Sequence, residues 1–262
     1  MSDRKRSIFG VVFLTIFLDM VGFSIIFPLF PDMLDHYLFL EQSMGGGIIS
    51  RFVSWVSEFG HDLLPGNQNF RLETVIFGGI LGSLYAILQF FFAPIWGGLS
   101  DRYGRRPVLI ITLGGTAIGY FLWIMAGDIW VLLLSRVIGG MAGGNISVAT
   151  AAIADVTTRE KRSKGMAFVG IAFGLGFVLG PALGGLASQW DWSGSELVFF
   201  GMHPFSAAAT ISFGLAVINL LWLVWGFSET LPAEKRNPTN SFLPAVCKMT
   251  EVTSPEARRT CL

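Results

Sequence analysis

Charged residues are scarce in this sequence. Lys, Arg, Asp and Glu together make up 14% of its 262 residues, whereas a soluble domain carries roughly 25%. Hydrophobic residues reach 52% before the 32 glycines are counted, whereas soluble chains hold roughly 45 to 50% with glycine included. This composition excludes a soluble globular protein. It also excludes a disordered one, because disorder requires low hydrophobicity.

A charge imbalance and clustered cysteines are also lacking. The formal net charge is zero and no basic stripe interleaves with aromatic residues, so we expect no nucleic-acid partner. Cys247 and Cys261 lie in the polar end of the chain without CxxC spacing, which excludes a disulfide framework and a zinc site. There is no HExxH or GxSxG motif, and His36, His61 and His203 do not converge with cysteines. We therefore predict neither an enzyme nor a bound metal or cofactor.

Six long apolar stretches are present instead, each close to the roughly 20 residues that span a bilayer. Such stretches must be helical, because an unpaired backbone amide in lipid costs several kcal/mol and no alternating barrel pattern is visible. The sequence thus predicts an all-α membrane protein with six transmembrane helices. They run over Ile8–Phe30, Val75–Trp96, Val108–Gly127, Ile129–Ala149, Ala167–Ala187 and Ala207–Phe227.

The distribution of Lys and Arg predicts the orientation of these spans. The basic side comprises Arg4, Lys5, Arg6, Arg102, Arg105, Arg106, Arg159, Lys161, Arg162, Lys164, Lys235, Arg236, Lys248, Arg258 and Arg259. The opposite side carries only Arg51 and Arg71 among nine acidic residues. Both termini are therefore expected in the cytoplasm, and the protein is expected as a multi-pass component of the cell (inner) membrane.

Two regions lie outside the spans. In the long outer loop, residues 32–74, Gly45–Gly47 is followed by apolar residues at helical spacing, which favours a short helix on the outer membrane surface. These residues are Ile49, Phe52, Val53, Val56 and Phe59. A partly ordered loop is equally compatible with the pattern. We expect residues 1–230 to form one helical bundle and residues 231–262 to be a polar cytoplasmic tail or a truncated central loop.

Two charged residues fall inside spans. Asp19 lies at the centre of the first span, about 16 Å from either end at 1.5 Å per residue. Arg136 enters the fourth span by roughly 10 Å from the outer side, so it reaches nearly the same depth. A carboxylate at this depth costs on the order of 3 kcal/mol, so Asp19 should face water or a partner. We expect Asp19 and Arg136 to approach each other across a central cavity.

A proton-coupling site is one interpretation of this pair. Burial favours the protonated form of a carboxyl group, whereas a nearby guanidinium favours the ionised form. A permanent ion pair that only fixes helix register is the alternative. Four polar residues in other spans are candidates for the substrate cavity: Tyr85, Gln89, Asn145 and Asn219. For each of these residues, a hydrogen bond that only joins two helices is an alternative role.

The loop after the second span has the sequence Gly97-Gly98-Leu99-Ser100-Asp101-Arg102-Tyr103-Gly104-Arg105-Arg106-Pro107. A tight turn requires Gly104, and the arginines hold the loop on the inner face of the membrane. Asp101 can pair with these arginines or with the N-terminus of a neighbouring helix.

The fifth span is rich in glycine. Several glycines recur four residues apart, and Pro181 loosens the helix beside them. Small residues at this spacing allow another helix to approach closely. A close helix partner for the fifth span is therefore expected.

These motifs make the chain resemble the major facilitator superfamily, specifically its drug/proton antiporter branch, which includes tetracycline-efflux-like proteins. The signature loop G-x-L-x-D-R-x-G-R-R is matched at Gly97, Leu99, Asp101, Arg102, Gly104, Arg105 and Arg106. The antiporter signature G-x-x-x-G-P-x-x-G-G is matched at Gly176, Gly180, Pro181, Gly184 and Gly185. The first-span pattern of the efflux branch is matched at Leu18, Asp19, Gly22, Pro28 and Pro31. The fourth-span signature is met at Leu132, Arg136 and Gly140, but Gly139 stands where the family usually has Gln.

The resemblance implies that the first and fourth spans line the substrate cavity and that the Asp101 loop is a cytoplasmic gate. It also implies a bundle of three-plus-three inverted repeats, and a fifth span that packs against the other half of the transporter. Transport would proceed by alternating access. The energy source would be the proton gradient, with no cofactor, and the partners would be lipid, protons and a small-molecule substrate.

The chain departs from the family in its number of spans, because members have about twelve. Three interpretations follow: a truncated product, a half that forms a homodimer, and a half that joins a separate six-helix partner. The favoured function is proton-coupled efflux of small organic molecules or drugs. Uptake of a sugar or metabolite, and a non-transporting assembly or regulatory role in the membrane, are the alternatives.

Overall fold

The computed structural model describes residues 3–43, 45–63, 72–158, 160–190, 202–232 and 236. In this part of the chain all regular secondary structure is helical. The α-helices are α1 (Asp3–Ser24), α2 (Phe30–Ser43), α3 (Ile48–Leu63), α4 (Leu72–Tyr103), α5 (Arg105–Ile124), α6 (Ile129–Ala142), α7 (Asn145–Val156), α8 (Arg162–Ala187) and α9 (Ser206–Gly226). Of the predicted C-terminal tail, only residues 231, 232 and 236 are described.

Six helical segments are long and apolar enough to cross a membrane, which confirms the predicted number of spans. The first consists of α1, a short 3-10 helix over Phe27–Leu29, and α2. The fourth combines α6 and α7, while α4, α5, α8 and α9 are one span each.

The first helical segment is longer than predicted. The sequence analysis ended it at Phe30, but the chain continues as a helix to Ser43. Pro28 lies in the 3-10 turn and Pro31 lies in the first turn of α2, where a proline costs no helical hydrogen bond. Residues 32–43 of the predicted outer loop are therefore helical.

A helix also occupies the middle of that outer loop. Ile49 and Val56 of α3 are buried and lie two turns apart, with Phe52 and Val53 packed against the same core. Glu41 of α2 caps the start of α3 by accepting the backbone N–H of Ser50 at 3.0 Å. The predicted helix is thus present over residues 48–63, where a partly ordered loop is not found; its position on the outer membrane surface stays a prediction. The side chain of Phe59 lies outside the described residues.

The fourth span is broken in its middle, a feature that the sequence analysis missed. α6 ends at Ala142 and α7 begins at Asn145, with Gly143 and Gly144 between them. Side chains of α4 bind the carbonyl groups that the break frees: Gln89 donates to the Gly143 oxygen at 2.6 Å, and Trp96 donates to the Met141 oxygen at 2.7 Å. The break is therefore a stable part of the fold.

The bundle has two apolar clusters separated by a polar layer. One cluster lies at the outer end and includes Val21 and Trp123, and the other lies at the inner end and includes Ile16 and Leu113. Asp19 is placed between them on α1. This layer is the part of the bundle in which a charged site can be enclosed.

Candidate functional site

Asp19 is enclosed by the bundle, with only 5% of its surface exposed. The Asn145 side chain, at the start of α7, is the hydrogen-bonding group next to its carboxyl group. Within the described part of the chain, neither Oδ2 of Asp19 nor Nδ2 of Asn145 has a well-formed hydrogen bond. Because the N-terminus of a helix carries a partial positive charge, α7 stabilises negative charge at this position.

Arg136 is also buried, with 4% of its surface exposed. Its guanidinium lies 4.8 Å from the centre of the Trp123 ring, and its Nε donates to the Ser135 hydroxyl at 3.3 Å. The ion pairs found among the described residues do not include Asp19 with Arg136. The alternative of a permanent ion pair is therefore not found in this conformation, and the approach of the two residues across a cavity stays a prediction.

Two tyrosines are buried in the same bundle as these charges. Tyr85 from α4 borders the same small cavity as Arg136, and Tyr120 from α5 is buried with 5% of its surface exposed. Tyr85 is one of the predicted cavity residues, whereas Tyr120 was not predicted. The structure thus places a buried phenol beside the buried arginine.

A small cavity of about 10 Å³ lies beside this group, bounded by Arg136, Tyr85 and Phe23 among others. This volume accommodates about one water molecule. It borders a connected set of aromatic rings from three spans, in which neighbouring ring centres are 4.6 to 6.5 Å apart. The rings are those of Phe23, Phe27, Phe30, Phe77, Tyr85, Phe173 and Phe177. Arg136 thus lies beside a cluster of aromatic rings from three spans.

The other predicted cavity residues join helices. Asn219 of α9 donates to the Thr15 carbonyl oxygen at 3.0 Å, and Gln89 binds the break in the fourth span. Both contacts match the alternative role of interhelical hydrogen bonding. Asn145 lies at Asp19, and its Oδ1 accepts the backbone N–H of Ile146.

At the cytoplasmic end, Arg105 connects three helices. Its guanidinium binds Asp101 at 2.6 Å, Asp155 of α7 at 3.0 Å and the Ser100 hydroxyl at 2.5 Å. Gly104 has a φ of 106°, which favours glycine and explains the tight turn between α4 and α5. The pairing of Asp101 with Arg105 is one of the two that the sequence allowed, namely with an arginine of the same loop.

The sequence analysis also missed Glu229, which lies beyond the end of α9. Its carboxylate accepts the backbone N–H groups of Arg105 at 2.9 Å and Arg106 at 3.2 Å. It also lies 3.7 Å from Arg236. A carboxylate at the start of a helix is stabilising, because it satisfies free N–H groups and the helix dipole. Glu229 therefore attaches the segment after the sixth span to the predicted gate loop.

Three further residues of the predicted gate motif make contacts of their own. Arg106 donates to the Val224 carbonyl oxygen at 2.7 Å, and the exposed Arg102 lies over the Tyr103 ring. The Gly97 carbonyl accepts the hydroxyl of Ser100.

The glycines of the fifth span pack against the first span. A Cβ atom at Gly176 would collide with α1, one at Gly180 would collide with Ser24 at its end, and one at Gly184 would collide with Ile25, which follows α1. Ser24 itself donates to the Gly176 carbonyl oxygen at 3.1 Å. The expected close partner is therefore α1 of the same bundle, and packing of the fifth span against another half stays a prediction. Gly185 meets no atom within 4 Å, and Pro181 lies inside α8.

Comparison with known families agrees with the resemblance that the sequence motifs indicate. The sequence model of the Major Facilitator Superfamily matches residues 12–254. The chain belongs to this superfamily. It is 39% identical over 233 residues to major facilitator superfamily domain-containing protein 10 of Mus musculus, covering 88% of this chain and 46% of that protein.

Bacterial efflux proteins of the superfamily are similar as well. The class H tetracycline resistance protein of Pasteurella multocida is 32% identical over 241 residues, covering 90% of this chain and 49% of that protein. The crystal structure of the human organic anion transporter MFSD10 (TETRAN) has a TM-score of 0.76 and 33% identity, covering 98% of this chain and 55% of that one. The chain spans about half the length of the curated relatives it matches.

Residue 139 is glycine, whereas the fourth-span signature of the superfamily usually has Gln at this position. A Cβ atom at Gly139 would lie 3.3 Å from Cε2 of Tyr85. A side chain at residue 139 would thus lie next to a tyrosine from α4.

Proposed function

We propose that this protein is the six-helix bundle of a proton-coupled secondary transporter that exports small organic molecules by alternating access. The observation that carries the proposal is the burial of both Asp19 and Arg136 within membrane-spanning helices, without an ion pair between them among the described residues. A buried carboxylate that is not fixed by a cation can gain and lose a proton when the conformation changes. The relatives named as tetracycline resistance proteins support efflux as the direction of transport.

The substrate class follows from the surroundings of Arg136. A buried guanidinium without a carboxylate partner among the described residues attracts an anionic group, and the adjacent rings provide an apolar surface. The human relative is named as an organic anion transporter. The proposed substrates are therefore small organic molecules, including organic anions. The energy source is the proton gradient, and no enzymatic step or cofactor takes part.

The remaining parts of the transporter follow from the same proposal. The Asp101–Arg105 network is the cytoplasmic gate, because it joins the inner ends of α4, α5 and α7. Alternating access requires a second bundle, either a further six-helix half or a second copy of this chain. The protein acts in the cell membrane, with its basic loops in the cytoplasm.

Reconstituted vesicles test this function directly. The protein is incorporated into liposomes, a pH gradient is imposed, and uptake of labelled tetracycline and of labelled 1-naphthoate is followed. Accumulation above the external concentration that a protonophore abolishes is the expected result. Equal uptake with and without protein would contradict transport. Accumulation that ignores the pH gradient would contradict proton coupling.

The direction of flux separates efflux from uptake. In an efflux antiporter, substrate accumulates in vesicles that are more acidic inside, whereas a proton symporter accumulates it when the outside is more acidic. The D-xylose-proton symporter shares the fold with a TM-score of 0.57 at 15% identity, so this likeness does not favour uptake. The apparent mass of the purified protein in detergent distinguishes a homodimer from a single bundle.

A further inference from the structure

Trp123 is the aromatic neighbour of the Arg136 guanidinium. The central carbon of the guanidinium lies over the Trp123 ring, 4.8 Å from its centre, and both side chains are buried. The electron-rich face of an aromatic ring attracts a cation, most strongly for tryptophan and for a pair that is shielded from water. Trp123 therefore stabilises the charge of Arg136 inside a membrane-spanning segment without supplying a charge of its own.

This kind of partner leaves the donors of Arg136 available. A guanidinium has five N–H groups in one plane, and a carboxylate partner accepts two of them in a bidentate pair. An aromatic ring attracts the positive charge without offering such an acceptor. Among the described residues, the guanidinium donates one hydrogen bond, from Nε to the Ser135 hydroxyl at 3.3 Å, and forms no ion pair. The remaining N–H groups can therefore bind an anionic ligand.

The position of Trp123 is fixed by side chains from the first and sixth spans. Three backbone carbonyls at the end of α5, those of Trp123, Ile124 and Ala126, accept hydrogen bonds from His203 at 2.8 Å, Ser206 at 2.9 Å and Tyr37 at 2.6 Å, respectively. The Trp123 side chain itself has no exposed surface. Because its backbone and its ring are both held, Trp123 presents a fixed surface to Arg136.

We propose that Trp123 is the positioning residue for anionic substrates: its ring holds the Arg136 guanidinium in place and keeps the N–H groups available for the anionic group of the substrate. This inference rests on the proposed export of organic anions and adds a residue that determines specificity. Arg136 borders a cavity of about 10 Å³, which accommodates about one water molecule. Entry of a carboxylate or sulfonate group therefore requires the bundle to open, as alternating access implies.

Binding of 1-naphthoate and of its neutral analogue 1-naphthamide to the purified full chain tests the role of Trp123. Trp123→Leu should weaken binding of 1-naphthoate at least about fivefold, as expected for the loss of a buried cation–π contact, and Trp123→Phe should weaken it less. Binding of 1-naphthamide should stay within about twofold, because it does not depend on the positive charge. Trp130→Leu is the matched control and should change neither affinity, since Trp130 is 58% exposed on the same helix as Arg136.

Tryptophan analogues with increasing numbers of ring fluorines, installed at residue 123, separate electrostatic attraction from packing. Fluorine withdraws electron density from the ring face and changes its shape little, so affinity for 1-naphthoate should fall stepwise with the number of fluorine atoms. An affinity that is independent of fluorination overturns the positioning role. Equal weakening of both ligands by Trp123→Leu, together with a lower unfolding temperature, shows a role in stability only and also overturns it.

Failure of the proposed function gives a different result. If wild-type protein does not bind 1-naphthoate, the proposed substrate class is contradicted, and the role of Trp123 with it. If wild-type protein and Trp123→Leu bind 1-naphthoate equally well, the role of Trp123 alone is contradicted.

Discussion

The carboxylate of Glu229 accepts a 2.9 Å hydrogen bond from the backbone N–H of Arg105, although 124 positions separate the two residues. Through this bond the segment after the sixth span caps the start of α5. The same carboxylate accepts the N–H groups of Thr230 and Leu231 at 3.0 Å each. One side chain thus joins the end of the bundle to its gate loop.

Removal of this carboxylate should destabilise the protein. Glu229→Ala leaves the first N–H groups of α5 without their acceptor, so we expect the free energy of unfolding to fall by about 1 to 2 kcal/mol. Denaturant titration in mixed micelles measures this change. Glu160→Ala, at an exposed turn residue, is the control and should change stability by less than about 0.5 kcal/mol. Equal effects of the two variants would contradict the capping role.

The close contact between α8 and α1 predicts opposite effects for two glycines of one helix. A Cβ atom at Gly180 would lie 2.7 Å from the Val21 carbonyl oxygen, whereas Gly174 has no atom within 4 Å of that position. Gly180→Ala should therefore lower stability by about 1 to 3 kcal/mol. Gly174→Ala should leave stability unchanged or raise it by up to about 1 kcal/mol, because alanine favours helix. Thermal unfolding of the two variants decides the matter, and a destabilised Gly174→Ala would show that the exposed face of α8 is also packed.

His203 predicts a pH dependence of stability at the outer end. Burial lowers the pKa of His203 from 6.5 to about 4, although its hydrogen bond to the Trp123 carbonyl acts in the opposite direction. Nδ1 accepts the Phe205 N–H, so Nε2 carries the hydrogen donated to Trp123 at 2.8 Å. The folded protein holds the neutral imidazole and the unfolded chain binds the extra proton between pH 6.5 and about 4.

Stability should therefore be complete above pH 6.5 and decrease as the pH falls toward 4, by up to about 3 kcal/mol from this residue. Unfolding of wild-type protein and His203→Gln across this range measures the effect. The variant should be less stable at pH 7.5 and should show a flatter profile. Parallel profiles would contradict a buried neutral histidine.

Two side chains of α4 are expected to stabilise the chain around the break in the fourth span. Trp96→Phe and Gln89→Leu each remove one donor to the carbonyl groups of Met141 and Gly143. Faster hydrogen exchange is expected at the amides that follow the break, because a backbone carbonyl left unpaired within a membrane-spanning segment costs several kcal/mol. Phe90→Leu is the control, since Phe90 is 73% exposed on the same helix. Unchanged exchange in both α4 variants would show that the break is stable without these donors.

Much of this fold could be predicted from the sequence because lipid leaves few choices. Spans of about 20 apolar residues must be helical, and the basic loops near Arg105 and Lys161 do lie toward the same end as Glu229. The burial of Asp19 and Arg136 follows from their depth in the spans. Depth alone does not fix the direction in which a side chain leaves its helix. The absence of a direct contact between these two residues could therefore not be predicted.

Other features depend on partners that are distant in the sequence. Gly143 and Gly144 are compatible with a continuous helix, and only Gln89 and Trp96 from α4 make the break favourable. A pattern of glycines predicts a close neighbour but not its identity, which is why the packing of Gly180 against Ser24 was not foreseen. The first span continues as a helix beyond Pro31. Local propensity does not determine where the turn after this span begins, so the continuation could not be predicted.

The central claim is that Asp19 couples proton movement to transport, and Asp19→Asn tests it most directly. The amide keeps the shape of the carboxyl group but cannot exchange a proton. In vesicles with an imposed pH gradient, the account predicts loss of uphill substrate accumulation, while exchange at equal pH and membrane insertion persist. Uphill accumulation by Asp19→Asn at the wild-type level would contradict the account.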